Sequence, residues 1–276
     1  MIRKPIAAGL FYEDSKEALI EQIKGCFENG PGFPEAKKEG LIRGAIVPHA
    51  GYPYSGRCAA HAYKEILEHE TPDTFIIIGT NHSGPEITTM QEDWETPLGV
   101  AKVDLPLVRA LVRGGVRNDP EPHKREHSIE VQIPFLQHLV PEFKFVPIVI
   151  GNQNYQLAVE AIKKAAYETG RKVCLIASSD FTHYGFTYSY VPFNENIREN
   201  IEKLDMGAIE FIKKLDSKGF MKYVEEKEAT ICGKFAIGAL IDVISKGNVE
   251  LLKYTMSGDM VRDYNVSVSY ASIIFS

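Results

Sequence analysis

His49 and His82 each stand just beyond a run of apolar residues, in Ile46-Val47-Pro48-His49-Ala50-Gly51-Tyr52 and Ile76-Ile77-Ile78-Gly79-Thr80-Asn81-His82. Imidazole is a ligand for iron, copper, zinc and nickel. A single loop histidine is most simply hydrogen-bonded to backbone. Two of them at successive strand ends favour metal binding, because adjacent parallel strands lie ~4.8 Å apart and both rings can then reach one point above the sheet. Cys232, in Thr230-Ile231-Cys232-Gly233, precedes a strongly apolar helical pattern. With Thr230 as N-cap, a thiol in the first turn feels the positive helix end, which favours thiolate, a metal ligand and a nucleophile. A small buried residue opening a core helix explains the same pattern, and both readings stand.

Asp180 and His183 share the loop Ser178-Ser179-Asp180-Phe181-Thr182-His183. A carboxylate three residues from an imidazole can orient it and raise its basicity, the usual arrangement of a general base. Asp180 as the cap of a turn is the plainer alternative. His127 opens a helical stretch after the charged loop His123-Lys124-Arg125-Glu126, where it can donate to an anionic ligand or simply face solvent. Cys58 and His61 have i,i+3 spacing that could hold a metal but fall opposite the apolar face of their helix, which reads as a surface or interface face. The chain contains no phosphate-binding or dinucleotide-binding glycine pattern, no H-E-x-x-H and no G-x-S-x-G.

Positioning these residues requires strands that stop where the loops begin. Leu41–Pro48, Thr74–Gly79, Phe143–Ile150 and Lys172–Ala177 read as buried strands. Helices are expected over Asp14–Phe27, Gly56–His69, Leu105–Arg113, Ser128–Leu139 (kinked or restricted to short turns by Pro134), Asn154–Thr169, Asn194–Lys214, Ser217–Glu226 and from Cys232. The stretch 80–127 reads as an irregular wall beside the site, and Val249–Ser257 and Asn265–Phe275 as two last strands. This alternation predicts one α/β domain over residues 1–276, with a largely parallel central sheet flanked by helices. In such sheets ligands bind beyond the carboxyl ends of the strands. A formal charge of −6 argues against nucleic acid as a partner. The absence of a signal-peptide pattern, of a membrane-length apolar run and of any disulfide framework predicts a cytoplasmic protein.

Taken together, Ala8-Gly9-Leu10-Phe11-Tyr12, Pro48-His49-Ala50-Gly51-Tyr52, Cys58-Ala59-Ala60-His61-Ala62-Tyr63, Glu126-His127-Ser128-Ile129-Glu130, Ser178–His183, Thr230–Gly233 and Ser267-Val268-Ser269-Tyr270-Ala271 resemble the Memo family, also labelled AmmeMemoRadiSam system protein B. The resemblance spans essentially the whole chain. It implies the fold of the class III extradiol dioxygenases, in which two histidines and a glutamate hold non-haem iron. By motif, His49 and His82 match the ligand histidines and Cys232 the carboxylate ligand. His183, with Asp180, matches the catalytic-base region, and His127 a second active-site histidine. Non-haem iron or copper is the implied cofactor, with zinc able to occupy the purified protein. A functional link to AMMECR1-like and radical SAM proteins is also implied. Thiolate in place of carboxylate shifts preference toward softer ions, so catechol cleavage does not follow from the fold.

Three functions result. The first is a metal-dependent redox protein using His49, His82 and Cys232, with His183 and Asp180 moving protons and His127 positioning substrate. The second is a scaffold that receives a peptide or phosphorylated ligand near Lys124-Arg125 without turnover. The third is metal-free nucleophilic catalysis by Cys232, His183 and Asp180, which leaves His49 and His82 unused.

Overall fold

The computed structural model describes residues 2–152 and 154–276. The apolar runs form the middle of one sheet because their side chains are covered on both faces. In chain order the elements are β1 (Ile2–Arg3), α1 (Lys16–Glu28), β2 (Gly44–Val47), α2 (Tyr52–Glu68), β3 (Thr74–Thr80), β4 (Ile87–Thr89), β5 (Asp93–Thr96) and β6 (Gly99–Val103). They continue with α3 (Leu105–Arg113), β7 (Arg117–Asn118), α4 (Ile133–Leu139), β8 (Lys144–Ile150), α5 (Gln156–Thr169), β9 (Val173–Ser178) and β10 (His183–Tyr184). The last are α6 (Ile197–Lys213), α7 (Ser217–Glu226), α8 (Lys234–Ile244), β11 (Val249–Met256), α9 (Ser257–Val261) and β12 (Ser267–Phe275).

The main sheet runs β1-β5-β6-β8-β3-β9-β2-β12-β10. Its centre, from β6 through β8, β3 and β9 to β2, is parallel. β12 pairs antiparallel with β2, β10 and β11, closing one side as a mixed edge. The chain is thus a single α/β domain with a mostly parallel mixed sheet flanked by helices. No helix among the described residues is long and apolar enough to cross a membrane.

Three expectations change, and one open alternative is decided. β2 and β3, the strands of one strand–helix–strand unit, are not neighbours: β9 lies between them and pairs with both. The two histidine loops therefore start two strand spacings apart, roughly 9.6 Å, and the side chains close the gap. Of the two outcomes expected at Pro134, a kink or a restriction to short turns, the second is found. A 3-10 turn at Glu130–Gln132 precedes α4, and Pro134 sits in the first turn of that helix, where its missing N–H has no intrahelical partner to lose. Cys58 is buried against Val268 and Tyr270, because α2 is covered on its second side by β11 and β12. Finally, α8 begins at Lys234 with Gly233 as its N-cap, so Cys232 lies in the preceding loop. The stretch 80–127 carries the short strands and the helix expected of it, as β4, β5, β6, α3 and β7.

Candidate metal centre

The loops after β2, β3 and β9 converge with the Thr230–Gly233 turn at the carboxyl end of the parallel strands. One donor atom each from His49, His82 and Cys232 lie within 4.8 Å of one another. His49 Nε2 stands 3.1 Å from Cys232 Sγ, and the His49 and His82 ring centroids are 5.9 Å apart. A tetrahedral ion with ordinary nitrogen and sulfur bond lengths sets its donors roughly 3.5 Å apart, so small side-chain movements complete such a site.

The hydrogen bonds fix which nitrogen each ring offers. Ser178 Oγ donates its one proton to the Ser128 carbonyl (2.6 Å) and accepts from Gln132 Nε2 (2.8 Å). His49 Nδ1, 3.1 Å from that oxygen, must therefore donate to it. Its Nε2 lone pair then faces Cys232. His82 Nδ1 donates to the Glu126 carboxylate at 2.9 Å, which also accepts the backbone N–H groups of His82 (3.1 Å) and Ser128 (2.7 Å). His183 Nδ1 donates to the carbonyls of Phe181 (2.9 Å) and Thr230 (3.0 Å). All three rings are held as the Nδ1–H tautomer with Nε2 free. A partner on the far nitrogen is how proteins aim a metal-binding imidazole and raise its basicity.

Titration behaviour follows from burial and these partners. Burial pushes the His49 pKa down, with only partial relief from Asp180. Burial acts the same way on His82, but the hydrogen bond and charge of Glu126 outweigh it and raise the net value. Burial works against the Glu126 carboxylate, yet His82 and the Ser128 amide bring it down to about 2. His127 is lowered to about 4 by burial and by His49. The Cys232 thiol is raised well above its ordinary value by burial, and Asp180 adds to the effect. The helix-start activation expected for Cys232 is absent, since the residue precedes α8. Thr230 Oγ1 bonds the His183 backbone, accepting from its N–H (2.8 Å) and donating to its carbonyl (2.7 Å), instead of capping the helix.

Asp180 does not orient His183 through a hydrogen bond. Its Oδ1 accepts the N–H groups of His49 (2.8 Å) and Ala50 (3.2 Å), which fixes the His49 loop. Its own N–H points at Cys232 Sγ (3.3 Å). Asp180, His183 and Cys232 nevertheless bring one donor atom each within 4.8 Å of one another. His127 stacks between Phe11 (4.4 Å) and His82 (5.1 Å). Lys124 pairs with Glu121 on the exposed side of the loop, and neither it nor Arg125 lines the crevice.

Glu126, Ser178 and Gln132 carry the ligand geometry and had no assigned role in the sequence. The cue for Glu126 was a carboxylate two residues before a helical turn, beside His127. Two glycines permit the approach: a Cβ at Gly79 would sit 2.4 Å from Ser128 Oγ, and one at Gly233 would sit 2.4 Å from Ser179 Cβ.

The centre opens into a crevice of about 500 Å³, walled by Phe11, Tyr54, Tyr188, Val261, Val266 and Tyr270. The N-terminal part of that wall is tied down by a buried carboxylate. Glu130 pairs with Arg3 and accepts from the N–H groups of Ile6 (3.0 Å) and Ala7 (2.8 Å) and from the Tyr12 hydroxyl (2.7 Å). Arg3 also donates to the carbonyls of His123 and Glu126, both at 2.8 Å.

A family model described as Memo-like protein matches residues 3–274. A MEMO1 family protein of Methanothermobacter thermautotrophicus is 38% identical over 287 residues, covering 99% of this chain and 100% of the relative. Similar proteins from Methanopyrus kandleri and Pyrobaculum arsenaticum, also described as MEMO1 family proteins, are 40% and 41% identical. The first match covers 100% of this chain and 99% of the relative, the second 99% of each.

Proposed function

The chain belongs to the Memo family, and from that premise we propose that it is a redox-active metal protein. In this reading His49, His82 and Cys232 hold non-haem iron or copper. One observation carries the proposal: His49 presents Nε2 to the Cys232 thiol and a ring nitrogen of His82 lies within 4.8 Å of both, while the Nδ1 protons of the two imidazoles are committed elsewhere. When bound, such an ion supplies one-electron chemistry and an open coordination position. The thiol must give up its proton to become a ligand, so metal uptake releases a proton and weakens with acid.

The remaining residues divide the work. Nε2 of His183 is free to take or give a proton beside Cys232, with its ring held by two carbonyls. Asp180 fixes the His49–Ala50 backbone, and His127, its two faces stacked on Phe11 and His82, offers a ring edge to a ligand in the crevice. All four cysteines are unpaired, which suits a reducing cytoplasm.

The test is metal analysis of anaerobically purified protein beside Cys232→Ala, followed by titration with Fe(II), Cu(I) and Zn(II). Wild type is expected to retain close to one equivalent, and the variant to lose it. Negligible metal in both, with no binding on titration, overturns the proposal.

A further inference from the structure

One carboxyl group of α6 points into the interior, away from the crevice. Asp205 is fully buried where the Thr182 loop meets β11 and β12, and its partners are one N–H and three hydroxyls. Oδ1 accepts from the backbone N–H of Thr182 (3.3 Å) and from its hydroxyl (2.6 Å). Oδ2 accepts from the hydroxyls of Ser269 in β12 (2.5 Å) and Tyr254 in β11 (2.6 Å). Burying a carboxyl group without a cation costs free energy that an apolar side chain of similar size would not. Packing of α6 alone does not call for it.

Thr182 stands immediately before His183, and a single peptide group joins Asp205 to the ring. The Thr182 N–H that faces Asp205 and the Phe181 carbonyl belong to one planar unit. That carbonyl accepts the His183 Nδ1–H at 2.9 Å. A continuous chain of hydrogen bonds therefore runs from Asp205 through the Phe181–Thr182 peptide to His183, whose Nε2 is left free beside Cys232. Hydrogen bonds at the two ends of one peptide polarise each other. β12 braces the flanking peptides: the Ser269 carbonyl accepts from the Phe181 N–H (2.9 Å), and the Ser269 N–H donates to the Thr182 carbonyl (3.0 Å).

We propose that Asp205 is the positioning residue of His183, acting through this peptide in place of the direct carboxylate partner that the ring lacks. It aims the Phe181 carbonyl, which holds the Nδ1–H tautomer and leaves Nε2 for proton transfer. The proposal rests on the proton-transfer reading of His183 for its use, but the chain of hydrogen bonds does not involve the metal.

The test is NMR of isotope-labelled histidine ring nitrogens in the full chain, reduced and metal-free. In wild type, His183 is expected as a single Nδ1–H tautomer, like His49 and His82. Asp205→Ala should mix the His183 tautomers and speed water exchange of its Nδ1 proton by roughly tenfold, the worth of one hydrogen bond, while His49 and His82 keep theirs. Asp205→Asn should restore the wild-type signature, since its Oδ1 still accepts from Thr182 and its amide can donate to the hydroxyls of Ser269 and Tyr254. Thr182→Val keeps the shape, removes one contact to Asp205 and should move His183 in the same direction as Asp205→Ala. A wild-type His183 signature in Asp205→Ala, or in Thr182→Val should the alanine variant not fold, overturns the proposal. So does equal disturbance of all three rings, which marks Asp205 as a general structural support. Metal content is a separate measurement on the same proteins, so this proposal and the metal reading can fail independently.

Discussion

The floor and the lip of the crevice are built on different principles. On the floor, nearly every polar atom around His49 and His82 has a named partner, and Glu126, Ser178 and Gln132 are buried. At the lip, Tyr54, Tyr188, Val261 and Val266 are exposed apolar groups. Directional bonds fix geometry to a few tenths of an ångström. Non-directional contacts exclude water and tolerate variation. The floor is thus suited to holding an ion, and the lip to choosing what approaches it.

That contrast is broken most directly by removing a donor. Cys232→Ala is expected to weaken metal binding by more than the ~100-fold that outer partners account for, as read by competition with a chelator. Glu126→Gln keeps the shape but offers His82 a neutral acceptor, and should weaken binding by roughly 10–100-fold. If it binds as wild type does, the hydrogen-bonded floor is not what tunes the ligand.

Acid should strain the buried wall around Arg3, where the His123 carbonyl accepts from the guanidinium, before the lip. His123 is fully buried, its Nδ1 has no partner, and burial together with the Arg3 charge lowers its pKa to about 3. The folded state therefore favours the neutral ring. Its contribution to stability is complete above the unfolded value near 6.5 and is lost as pH falls toward 3. Urea unfolding at pH 7 and pH 5 should differ by about 2 kcal/mol from this residue, a difference that shrinks in His123→Gln. The smallest effect belongs to the lip: Val261→Ser is expected to change stability by less than about 0.5 kcal/mol and to leave metal content unchanged.

Much of this division was legible in the sequence, but unevenly. His49, His82, Asp180 and His183 could be placed at strand ends because an apolar run and the polar loop after it are neighbours in the chain. The insertion of β9 between β2 and β3 could not be read, since strand order depends on how crossovers pack and not on local periodicity. Glu126 was passed over for a related reason: its partner, His82, lies across the fold, and no spacing within one element announces the pair. Cys58 misled because α2 buries two sides, whereas a helical apolar stripe predicts one. The Asp180–His183 spacing suggested a pair, but carbonyls of Phe181 and Thr230 had already taken the ring proton.

The Arg3–Glu130 pair has a consequence for traffic through the crevice. Swinging the Phe11 segment aside as a door would strip a buried carboxylate of its guanidinium and of three further donors. Breaking a pair of that kind costs about 3–5 kcal/mol. That side is a doorpost, and a change in the width of the opening would cost least at the exposed Val261 and Val266.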